Sequence, residues 1–149
     1  MAPLANPGRS SSPMLILPVA TLGALTLLCT LWPDLLIGGS LGDFLLVTLC
    51  LGGGAAWLTG KAVAGGWSPY SHLVLYCLPL TAAVRFGHFA LFEDTLFAPE
   101  PAAVEFVLLL AIATLGFRTL RRRQMTVQYG WMYAPAGRFG WRRRGEGNG

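Results

Sequence analysis

The chain has 149 residues, 54% of them hydrophobic and only 12% charged, with a positive mean hydropathy. A water-soluble domain of this size needs more polar surface than that, so the composition excludes one and points to a helical membrane protein. The net charge of +4 does not indicate nucleic acid, because eight of the eleven basic residues lie at or after Arg118, where an apolar run gives way to a membrane-flanking tail.

Residues 1–12 are rich in Pro, Ser, Gly and Ala with one charge, Arg9, a composition expected to be a disordered leader. The first apolar run, over about 13–32, is uncharged and long enough for a hydrocarbon core of ~30 Å at ~1.5 Å per residue. A cleaved signal peptide is the competing reading, since Arg9 and the run resemble its first two regions, but no small-residue cleavage site closes it. Pro33 and Asp34 break the helix, and a second span follows over about 43–59. It carries Gly52, Gly53 and Gly54 in succession, which predicts either a face on which a neighbouring backbone comes close or a local kink.

Lys61 and the segment Gly65 to Pro69 make a polar break, with Trp57, Trp67 and Tyr70 where interfacial aromatics sit. The third span covers about 70–92 and contains Pro79, which predicts a kink. A turn with Glu93, Asp94 and Glu100 leads to the fourth span over about 102–120, and the basic tail occupies 121–149. Cys29, Cys50 and Cys77 all fall in apolar runs without metal-ligand spacing, so they are read as small buried hydrophobes.

Four spans sort the charges. Arg9, Lys61, Arg118 and the tail arginines fall on one side, whereas Asp34, Asp43, Glu93, Asp94, Glu100 and Glu105 fall on or near the other. Membrane insertion keeps the Lys and Arg of short loops in the cytoplasm, so both termini are expected there. The expected fold is a small all-α bundle of four transmembrane helices in two hairpins, with an interfacial tail. So small a bundle leaves apolar surface for self-association or for a larger complex.

Arg85 and His88 lie inside the third span. A charge at such depth costs about 2.5 to 3.5 kcal/mol on insertion scales, which makes the pair a candidate site. Three residues apart, they share a helix face. Glu105 enters the fourth span from the same side and is the expected partner of Arg85, with Glu93 and Asp94 at the rim as competitors. Three roles follow for the cluster: a pin for the last hairpin, a site for a small anion or a partner's carboxylate, or a proton relay. In the tail, Arg121, Arg122, Arg123, Gln124, Gln128, Tyr129, Trp131, Tyr133 and Trp141 mix charge with aromatic rings. That mixture suits an anionic membrane face or docking on a cytoplasmic partner.

Chemistry is scarce. There is no phosphate-cradling Gly-Lys-Ser/Thr, no nucleophile elbow and no paired metal ligands, so no enzyme activity, cofactor or metal is expected. From Leu51 to Ala64 (LGGGAAWLTGKAVA), through the third span, to the tail ending RRR, the chain resembles domain-of-unknown-function family 6867, small inner-membrane proteins of alphaproteobacteria. VRFGHFALFE (Val84 to Glu93) and RQMTVQYGWMY (Arg123 to Tyr133) carry the resemblance most specifically, and it covers about residues 43–144. It implies an accessory role at an ABC-type permease for branched-chain amino acids. The first span lies outside it, so the count of four rests on the charge sorting. Two functions of different class are therefore expected to compete: an accessory or assembly subunit of a larger complex, and a small oligomeric transporter or channel using Arg85, His88 and Glu105.

Overall fold

The computed structural model describes residues 13–32, 40–93, 97 and 99–145; the expected leader, Asp34 and Asp94 lie outside them. Four helices follow one another: α1 (Pro13–Leu31), α2 (Leu41–Gly65), α3 (Tyr70–Phe92) and α4 (Pro99–Gln128). A short antiparallel hairpin, β1 (Tyr133–Ala136) and β2 (Gly140–Arg143), ends the described chain, with Tyr133 opposite Arg143 and Ala136 opposite Gly140. The expected all-α class is thus corrected to a mostly helical one.

The helix ends follow from local chemistry. Ser40 caps α2 by accepting the Asp43 backbone N–H at 3.2 Å, and Asp43 lies in the positive first turn. From Leu45 to Gly52 the helix widens into a π-helix before resuming as α from Gly53 to Gly65. It stops at the glycine pair Gly65 and Gly66 rather than at Thr59, since Gly60 and Lys61 break no backbone hydrogen bond. α3 continues through Pro79 and ends with Glu93 in the left-handed conformation at φ 55°. α4 opens on Pro99 and Pro101, whose missing N–H groups cost nothing in a first turn. It runs eight residues beyond the expected Leu120, because the Arg and Gln that follow are good helix formers and no breaker arrives before Gly130.

α2, α3 and α4 enclose the core, built on Val47, Ala56, Leu73, Val84, Leu109 and Phe117. Gly52 faces Leu109, Gly53 faces Ile112 and Gly65 faces Leu120, so α2 and α4 run in the same direction. α3 runs against both, with Tyr70 beside Thr114 and Arg85 beside Glu105. α1 lies on the far flank of α4. Its Leu17 and Thr21 line a cleft with Leu110 and Thr114, and its Leu25 and Cys29 line another with Leu45 and Leu108. Helix directions therefore alternate along the chain. All described acids, Asp43, Glu93, Glu100 and Glu105, gather toward one end, and Lys61 and every described Arg except Arg85 toward the other.

The closest helix approach is not at the glycine triplet. A Cβ on Gly60 would collide with the Ala113 carbonyl, and one on Gly116 with the Trp57 carbonyl, so these two residues let the backbones of α2 and α4 meet. Of the expected face, Gly52 is tight against Val84 and Leu109, and Gly53 is close to Ile112, whereas Gly54 faces open space.

Candidate functional site

Arg85 lies seven residues before the end of α3, and Glu105 six residues after the start of α4. At ~1.5 Å per residue both lie about 10 Å below the acidic end, so a short connection sets them side by side. Arg85 Nη1 donates to Glu105 Oε1 at 3.3 Å, and His88 Nε2 lies 3.5 Å from the same oxygen. Both side chains are deeply buried, with Arg85 5% and Glu105 2% exposed. The pairing expected from spacing is therefore present. Glu93 is exposed at the C-terminus of α3, so it caps the helix and is not part of the cluster.

A fourth member was not singled out from sequence. Thr48, fully buried on the π-helical stretch of α2, is hydrogen-bonded to His88 Nε2 at 2.8 Å. A lone Thr in an apolar run ordinarily bonds the carbonyl four residues back, as Thr59, Thr81 and Thr114 do here. The only usable signal was that His88 needed a partner. Thr48, His88, Arg85 and Glu105 thus join α2, α3 and α4 through polar contacts in their interior. Arg85 also lines a lateral recess, whose other walls, among them Leu78, Phe86, Phe97 and Phe106, are mainly apolar. Thr48→Val keeps the shape but takes away the hydroxyl. It is expected to lower stability by about 1 to 3 kcal/mol, read by unfolding in detergent, because it strips a buried imidazole of a partner.

At the basic end, two residues of the expected membrane- or partner-facing tail, Arg121 and Gln124, lie on α4 and bond the end of α2 and the turn after it. Arg121 Nη2 donates to the Ser68 carbonyl at 2.9 Å, and its guanidinium lies 4.9 Å from the Trp67 ring centre and 5.1 Å from that of Phe117. Gln124 Nε2 donates to the Ala64 carbonyl at 2.9 Å. Trp67 takes a left-handed φ of 56°, a conformation costing about 1 to 2 kcal/mol for a residue with a Cβ; Arg121 and the edge of Tyr129 hold its ring. Trp141 stacks on Arg118 at 5.2 Å, and Tyr133 is buried. Arg122 is half-buried. Arg123, Val127, Gln128, Tyr129 and Trp131 remain exposed.

By length and composition α2, α3 and α4 can each cross a membrane, which with the interior ion pair defines a membrane protein of the helical class. Among the described residues no group of three or more His, Cys, Asp or Glu could hold a metal ion. Residues 39–144 match a family described as a domain of unknown function, DUF6867, and the chain belongs to that family. No curated protein and no solved structure matches it. The match begins just ahead of α2, so α1 lies outside the family domain.

Proposed function

We propose that the protein is an accessory or assembly subunit of a larger bacterial inner-membrane complex, with α1 as a fourth span and the basic end in the cytoplasm. The observation carrying this reading is the patch at the C-terminus of α4. Val127, Gln128, Tyr129 and Trp131 are all exposed there, Trp131 at 76%, beyond the apolar part of the helix. The contacts of Arg121, Gln124 and Trp141 fix the backbone behind the patch, so a partner would meet a pre-ordered surface carrying the aromatic residues that anchor interfaces. Among partners, an ABC-type amino-acid permease is the candidate that the family resemblance favours.

The transporter alternative needs the polar cluster to face a path, whereas Arg85, His88, Glu105 and Thr48 contact one another inside the bundle. Those contacts favour a structural role for the cluster. In the co-purification test, the native chain captured in mild detergent should retain a larger membrane protein. Replacing Gln128, Tyr129 and Trp131 together by alanine should lower that recovery at least tenfold, the effect of about 1.4 kcal/mol, without changing insertion. A chain that purifies alone would overturn the reading.

A further inference from the structure

The tail turns back on itself, and its direction is readable from three contacts. The Tyr133 N–H donates to the Tyr129 carbonyl at 2.8 Å and the Arg144 N–H to the Met132 carbonyl at 2.9 Å, which fastens the open end of the hairpin beside the C-terminus of α4. Farther along the strands, the Trp141 ring lies over Arg118. Arg118 is ten residues back from Gln128, or about 15 Å along the helix axis. The closed end of the hairpin therefore points back along α4, in the direction of the apolar bundle.

α4 has 30 residues and so spans about 45 Å, against a hydrocarbon core of about 30 Å. With its apolar part in the core, the helix beyond Arg118 projects through the headgroup layer, and the hairpin lies beside that projecting part. The turn at its closed end carries Gly137 at φ 75°, then exposed Arg138 and half-buried Phe139. Arg123, Arg142, Arg143 and Arg144 are exposed at the same basic end of the bundle, the last two at the open end of the hairpin, and among the described residues no acid lies at this end. An exposed guanidinium with no acid beside it complements phosphate at headgroup depth, and an aromatic ring next to it suits the acyl boundary.

We infer that the hairpin turn Gly137–Phe139 is a lipid-contacting element. Arg138 takes the phosphate of an anionic phospholipid in the protein's own bilayer, Phe139 sits at the boundary below it, and Trp131 stays on the aqueous side. This rests on the membrane placement of α2 to α4, and not on the accessory role. It divides the tail between two surfaces: the turn belongs to the membrane, and the end of α4 is left for a protein.

The test uses the full chain with its native cysteines replaced by alanine and a single new cysteine at Phe139→Cys or Trp131→Cys. The chain is reconstituted in vesicles of phosphatidylcholine alone or of phosphatidylcholine with phosphatidylglycerol. A membrane-impermeant thiol reagent reports exposure, after a gel assay has confirmed insertion of each variant. Protection at residue 139, open labelling at residue 131, and greater protection with phosphatidylglycerol are the expected results. Adding Arg138→Gln should reduce the preference for the anionic lipid about fivefold, the effect of losing one arginine near the surface. Equal labelling at both positions overturns the inference, since the turn would then face water. Protection of both overturns the division of the tail, and protection indifferent to lipid charge overturns the phosphate contact. These vesicles contain no second protein, so a failed co-purification leaves this result standing, and the reverse holds too.

Discussion

Arg85→Met should destabilise the bundle by about 3 to 5 kcal/mol, because it leaves the Glu105 carboxylate buried at 2% exposure beside His88 with its guanidinium partner gone. Truncating one member of a buried pair costs more than the pair is worth, since the surviving charge keeps its desolvation penalty. The paired variant Arg85→Met with Glu105→Gln, which takes out both charges and keeps the volume, should therefore recover most of the loss. Unfolding by a denaturing detergent, followed by tryptophan fluorescence, gives the four corners of the cycle. If the single variant were no worse than the double, the two side chains would not be charged partners in the folded protein.

The second large effect concerns helix contact. Gly60→Ala should cost about 3 kcal/mol, at the top of the usual range for overpacking, because the new methyl meets the Ala113 carbonyl and the Phe117 backbone nitrogen, neither of which can rotate away. Gly54→Ala, six residues earlier on the same helix, meets nothing within 4 Å and should be neutral or stabilising by up to about 1 kcal/mol through helix propensity. Melting both variants in the same detergent compares them directly. A reversed order would mean that α2 and α4 do not meet at Gly60.

The contrast between these glycines shows what the sequence could and could not convey. Three in a row draw attention, yet whether a glycine admits a neighbour depends on which way the helix faces. The π-helical stretch from Leu45 to Gly52 alters that facing without any mark in the hydropathy. The long helices themselves were legible, because lipid demands an unbroken apolar run; the third span ran from Tyr70 to Phe92 as expected. Arg85 and Glu105 were legible as a pair for a related reason: charges at equal depth on consecutive helices have few other partners.

The tail was the least legible part. Its arginines and aromatic rings suggested a surface, but Arg121 and Gln124 reach carbonyls at Ser68 and Ala64, more than fifty positions earlier in the chain. No local pattern announces such a contact. The hairpin was equally hidden, since Pro135 and two glycines flank or interrupt strands of only four residues each, a composition that reads as irregular.

The reach of Arg121 and Gln124 also bears on how the protein is made. The turn joining α2 and α3 leaves the ribosome long before the residues that fasten it, so the two earlier helices must wait in the bilayer until α4 has entered. Only then do the guanidinium and the amide close on the Ser68 and Ala64 carbonyls. The latch is made some fifty residues after the turn it fastens, and a chain cut short before it would leave Trp67 in its left-handed kink without the guanidinium that holds it there.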